Sequence, residues 1–145
     1  MPAYQSTYTA VPASGYAGMI ADTEFKTVLS AEVQTAAVAF GLAAGKGSAA
    51  NTAKLGGTGY YGVAVADKAN LNVSAAGYAI GDIGGFIVKG AVWVTASVTV
   101  AITDTVYFVP ATGVITNVSA SNVAIPNARF ATAATAGNLV LLLLL

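Results

Sequence analysis

Short runs of Val, Ile, Thr and aromatic residues recur along this chain about every ten residues, and Gly, Pro and Asn separate them. The clearest runs are Thr27–Ser30, Gln34–Phe40, Tyr60–Ala66, Ile83–Lys89, Ala91–Ala96, Val98–Ile102, Thr105–Val109, Val114–Thr116, Ala128–Thr132 and Leu139–Leu145. Such a rhythm suits strands, whose side chains alternate with period two, and it leaves little room for long helices. It predicts an all-β chain: a single compact domain of β-sandwich, jelly-roll or barrel type. Pro110–Gly113 reads as a hairpin connection and Asp67–Asn72 as a turn. Gly90 is expected to break the run on either side of it. A helix over Glu24–Ala44 competes locally, because Ala and Glu favour helices. The small-residue stretch Gly41–Gly59 reads as a long surface loop with one short strand near Ala53–Leu55. Trp93, at mid-strand among valines, is expected in the core.

The N-terminus reads differently. Residues 1–22 carry Pro2 and Pro12, which disfavour a helix, and no sustained apolar alternation. Tyrosines are spaced through the segment, and tyrosine is a residue of interfaces, with a large apolar ring and a polar tip. The division expected is an extended arm over residues 1–22 and a β-domain over 23–145. Tyr4, Tyr8, Tyr16, Met19 and Ile20 are the arm's candidate partner-contacting residues.

Charge narrows the function. The chain has 145 residues, six Lys+Arg and six Asp+Glu, so its net charge is zero. Charged residues make up 8%, against about 25% in an average soluble domain. A free monomer usually keeps apart from its neighbours with a charged, mixed surface, so this composition points to a surface covered in an assembly. The cations are spread singly, with no basic stripe, and no nucleic-acid or membrane partner is expected. The seven-residue run Leu139–Leu145 is too short to span a bilayer as a helix and reads as a buried final strand. No signal peptide is visible, so synthesis in the cytoplasm without a membrane anchor is expected.

The inventory also removes most catalysis. There is no His and no Cys, hence no Ser-His-Asp or Cys-His triad, no His-ligated metal and no thiolate site. Arg129 is the one arginine, which rules out a multi-guanidinium phosphate clamp. Gly45-Lys46-Gly47-Ser48 lacks the earlier glycine of a phosphate-binding loop. Glu32, Asp67, Asp82 and Asp104 are isolated, and three of them sit beside turn residues, where Asp serves the backbone. Asp22 and Glu24, close in sequence, would be solvated on one side of a strand. No enzyme, no metal and no cofactor is expected.

Four stretches taken in order resemble a known family. They are Gly18-Met19-Ile20-Ala21-Asp22, then Lys89-Gly90-Ala91-Val92-Trp93-Val94, then Asp104–Phe108 with Ala111–Asn117, and last Ala124–Phe130 with Ala134–Leu139. Together they resemble the structural cement, or capsid decoration, proteins of tailed bacteriophages, from about residue 18 to the end. The all-leucine ending departs from the pattern, since a partly polar strand is expected there. The resemblance implies a small jelly-roll or barrel domain on the outside of an icosahedral head. It would bridge subunits of the major capsid protein and reinforce them against the pressure of packaged DNA. The β-domain is further expected to self-associate as a homodimer or homotrimer, with the arm docking on a neighbouring subunit. The rival reading is a carbohydrate-binding or adhesin-like β-module of a fibre or surface layer, using Tyr60, Tyr61 and Tyr78 as exposed aromatics.

Overall fold

The structure is a computed structural model and describes residues 15–21, 25–66 and 76–145. Eleven strands follow in order: β1 (Thr27–Gln34), β2 (Val38–Ala39), β3 (Ala43–Lys46), β4 (Thr52–Leu55), β5 (Tyr60–Ala64), β6 (Gly77–Tyr78), β7 (Ile83–Thr95), β8 (Thr105–Phe108), β9 (Ile115–Thr116), β10 (Val123–Phe130) and β11 (Leu139–Leu144). Among the described residues there is no helix, so the stretch from Phe25 to Ala44 is strand and turn. The all-β, barrel-like expectation holds. The proposed arm lies mostly outside the described residues, as do Tyr4, Tyr8 and the Asp67–Asn72 turn.

The first half of the chain closes on itself. β1 pairs with β4 in parallel, β4 with β3, β3 with β5, β5 with β7 and β7 back with β1, all but the first antiparallel. The result is a five-stranded barrel with no free edge among these strands. A ring of so few strands is narrow, so its interior accepts mainly small side chains. Ala31, Val33, Ala44, Ala53 and Ala64 fill it around Phe86, and Val38, Phe40 and Tyr78 from the β2–β6 ribbon pack into the same cluster.

Here one expectation fails. The short strand expected near Ala53–Leu55 is present as β4, but Gly41–Gly59 is not otherwise a surface loop: β3 is a second barrel strand within it, and Ala43, Ala44 and Ala53 are fully buried. Small residues suit this place because backbones approach closely. A Cβ on Gly45 would collide with the carbonyl oxygen of Gly56. Low β-propensity is overridden by the need for thin walls.

A second sheet continues from the barrel through β7. That strand is 13 residues long and runs unbroken through Gly90, contrary to expectation. Val88 has no counterpart where Lys89 faces Thr27 and Ile87 faces Val28, and Gly90 has φ 121°. This bulge and its glycine turn the strand without ending it. Beyond it, β7 pairs with β11, β11 with β10, β10 with β8 and β8 with β9. A single parallel bridge from Ile115 to Ala96 curls this sheet back toward the end of β7. The hairpin turn between β8 and β9 is tied to the barrel, because Ala43 N–H donates to the Gly113 carbonyl and Gly57 N–H to that of Pro110. The outer faces of β3, β5 and β7 (Ala43, Val63, Ile87) join Val92, Val94, Phe108, Ile125, Phe130, Val140 and Leu142 in a second core. Two cores, one threaded through the barrel and one beside it, share β7.

Candidate docking surface

β11 carries the most unusual face. Its Val140, Leu142 and Leu144 point into the core, and Leu139, Leu141 and Leu143 alternate with them on the outer side, where each is half-buried. The sequence reading of a fully buried strand is therefore right for one face only. Across the ladder Leu141 faces Trp93 and Leu143 faces Ala91 on β7, while Arg129 faces Leu143 from β10. Trp93 belongs to this outer face. It is half-buried, between the inward Val92 and Val94, and is no core residue. Five successive leucines end the chain because both faces of their strand are apolar.

The free edge of β7 opposite β11 is taken by residues 15–21. Gly18 N–H donates to the Trp93 carbonyl at 2.7 Å, Trp93 N–H to that of Met19 at 2.9 Å and Ala21 N–H to that of Ala91 at 2.9 Å. Ile20 bridges Val92, and it packs on the second core. Gly15 lies against the indole, where a Cβ would come within 2.8 Å of Cδ1. Of the candidate arm residues, Met19 and Ile20 are thus half-buried on the domain's own sheet. Tyr16 is 43% exposed, and its carbonyl accepts the Met19 N–H in a turn.

At the other end of β11 the apolar surface opens further. Phe25 is 92% exposed and Leu145 60%. With Lys89, Gly90, Ala91, Leu143 and Leu144 they line a shallow cleft of about 210 Å³. Lys89 lines the cleft itself, Lys26 lies beside its Gly90, and Arg129 is the cross-strand partner of its Leu143. An exposed phenylalanine beside a leucine stripe is costly in water and makes this patch the candidate docking surface. Sequence reasoning missed Phe25, Leu143 and Leu145. The available signal was the absence of polar residues at alternate positions of the last strand, since a strand with one wet face alternates.

The described polar groups serve the backbone. Asp82 Oδ2 accepts the Ala79 N–H at 2.9 Å. Asp104 Oδ2 accepts the Ala101 N–H at 2.9 Å and the Asn117 amide at 2.6 Å, which together hold this carboxyl below its usual range. Among the described residues no three carboxylates come together as a metal site would require. The tyrosines of the rival reading form no shared platform. Tyr78 is buried, its hydroxyl donating to the Val65 carbonyl and accepting the Gly85 N–H, with Phe40 packed edge-on at 5.2 Å. Tyr60 packs on Phe108 with its hydroxyl buried, and burial pushes that hydroxyl's pKa up. Tyr61 and Tyr78 line two separate surface pockets, with no lining residue in common.

A family model described as Structural cement protein (E217 gp24/Pam3 gp6) matches residues 4–145. Among solved structures, a chain from the capsid of Myoviridae phage XM1 is similar at TM-score 0.71 and 18% identity, over 97% of this chain and 96% of that one. The N base of head fiber gp8.5 in bacteriophage phi29 is similar at TM-score 0.48 and 14% identity, over 83% of this chain and 95% of that one. No curated protein sequence matches.

Proposed function

Because this chain belongs to the structural cement protein family, we propose that it clamps the outside of an icosahedral phage head by joining neighbouring subunits of the major capsid protein. The observation that carries this reading is the outward apolar strip of Phe25, Leu139, Leu141, Leu143 and Leu145 beside Trp93. Its role is to be covered by a shell subunit, with Lys26, Lys89 and Arg129 meeting acidic or carbonyl oxygens at the rim. The barrel, closed and tied to the second sheet, is the rigid body that carries the strip.

The action is structural, not enzymatic. Each contact is modest, but copies repeated over the shell engage neighbours that are already fixed, and effective concentration makes the array persist. Residues 1–14, with Tyr4 and Tyr8, extend the contact to an adjacent subunit from the point where Tyr16, Met19 and Ile20 leave β7. Copies of the protein meet one another at a two-fold or three-fold position, as a homodimer or homotrimer. The protein is made in the host cytoplasm and ends on the capsid exterior, with neither nucleic acid nor membrane as a partner.

Co-sedimentation with heads lacking the protein tests this reading. The double variant Phe25→Ser, Leu143→Ser should keep its circular dichroism spectrum and bind at least about tenfold more weakly. Removing residues 1–14, which leaves Gly15–Ala21 on β7, should weaken binding as well. Undiminished binding by the double variant sinks the proposed surface, and undiminished binding by the truncation sinks the arm.

A further inference from the structure

The far end of the β1–β7 pair holds a second groove, of different chemistry. In the register of these strands Thr27 faces Lys89 at the cleft just described, and Glu32 faces Ile83 at the opposite end. The groove begins at Leu29, two residues along β1 from Thr27, and reaches Glu32, five residues or about 17 Å from it. The groove is lined by Leu29, Ser30, Glu32, Asn51, Tyr61 and Ile83, with Ala31 and Ala50 completing it, and its volume is about 550 Å³. Ile83 is 69% exposed and Leu29 42%, so apolar carbon forms much of the lining.

The Tyr61 hydroxyl donates to the Ser30 carbonyl at 3.4 Å. Among the described residues two other polar side chains of the lining are free: neither the Glu32 carboxylate nor the Asn51 amide has a hydrogen-bond partner. The backbone beneath them is fixed. Glu32 N–H donates to the Asn51 carbonyl at 2.9 Å, and Asn51 adopts φ 56° in a turn locked by Thr52, whose hydroxyl bonds both the carbonyl and the N–H of Ala49. Gln34 Oε1 accepts the N–H and hydroxyl of Ser48 and ties the same turn to β1. Tyr61 is braced edge-on against Phe86 at 5.7 Å. A carboxylate that only accepts and an amide that donates and accepts thus line one groove together with aromatic and aliphatic carbon.

The geometry points to a neutral saccharide as the ligand of this groove. A pyranose presents an apolar C–H face and a rim of hydroxyls that both donate and accept. Tyr61, Leu29 and Ile83 match the face; Glu32 and Asn51 match the rim. The volume suits one to three sugar units, within the range of ordinary small-molecule sites. A cationic side chain would meet Glu32 and lay its methylenes on the lining, but it offers no acceptor to the Asn51 amide donor. The preformed turn removes the ordering cost that a weak ligand could not meet. This site does not depend on the cement reading. Its lining shares no residue with the cleft beside the apolar strip.

The test is a titration of the free protein with the methyl glycosides of glucose, galactose, mannose and N-acetylglucosamine, each to about 50 mM, followed in amide NMR spectra. At least one glycoside should shift the amides of Glu32, Asn51 and Ile83 saturably while those of Leu141 and Leu143 stay in place. Glu32→Ala and Asn51→Gly should each weaken that binding about tenfold; the glycine tolerates the positive φ, so the turn survives. Silence from all four glycosides overturns the proposal. So do shifts confined to other surfaces, unchanged affinity in both variants, or a response to N-acetyl-lysine methylamide where the glycosides give none.

Discussion

The barrel and the β11 sheet solve opposite problems with the same backbone pattern. The barrel has no open edge, and its core sets the small Ala31, Ala44, Ala53 and Ala64 around Phe86, with Phe40 and Tyr78 packed into the same cluster. The β11 sheet is built from Leu, Val and Phe, and it keeps apolar side chains on its outer face as well. The first is self-sufficient. The second has buried only half of what its composition asks it to bury. Scarcity of charge therefore has two meanings in one chain: in the barrel it reflects tight walls, and on β11 it reflects a face awaiting a neighbour.

The sharpest way to break this comparison is to enlarge the barrel wall. Gly45→Val places a branched side chain where the Gly56 carbonyl already sits, and should cost about 3 kcal/mol or more in denaturant unfolding. A loss below about 1 kcal/mol would mean that the barrel is looser than its packing implies. Next comes a pair of neighbours on opposite faces of β11. Leu142→Ala should cost about 2–5 kcal/mol, since Leu142 is fully buried. Leu143→Ala should cost clearly less in stability yet weaken head binding, whereas Leu142→Ala acts on stability first. Equal stability losses would erase the distinction between the faces.

How far these differences were legible depends on residue type. β7, β8 and β10 announce themselves with Val, Ile, Tyr and Phe, because branched and aromatic side chains fit a pleated, half-buried surface. β3 does not: Ala43-Ala44-Gly45-Lys46 looks like a loop, and only closure of the ring explains why such small residues are buried there. Gly90 looks like a terminator but is the hinge of a continuous strand, a distinction that rests on which partners flank it. Trp93 sits among valines that point inward, and its odd position in the alternation sends it out. At the docking surface the arm residues drew attention for their aromatic content. Phe25 and the outward leucines needed the register of β11 against β7 before they stood out.

Two smaller effects sharpen the comparison further. Tyr60 sits at the seam between the two regions, its ring on Phe108 and its hydroxyl buried without a partner. Tyr60→Phe removes an unsatisfied polar atom and should leave stability unchanged or raise it by about 1 kcal/mol in a thermal melt. A loss of that size would show that the hydroxyl is satisfied by bound water. The smallest effect concerns Asp104, held below the ordinary 3.8 first by the Ala101 N–H and then by the Asn117 amide. A depressed carboxyl stabilises the fold above its unfolded value, and that contribution is lost as pH falls below 3.8 through the folded value. Asn117→Ala should move the Asp104 midpoint upward in an NMR titration, narrowing that acid window. An unmoved midpoint would assign the whole effect to the backbone.

The central claim is that the outward face of β11, with Phe25 and Leu145, is the surface by which this protein holds its shell. A cryo-electron microscopy map of heads carrying the protein tests it directly. The account predicts density from a major capsid protein subunit packed against Leu141, Leu143 and Phe25, with the Glu32–Asn51 groove open to solvent at the other end of the barrel. A map in which that leucine face looks outward to empty solvent, while the protein is attached by another surface, would contradict it.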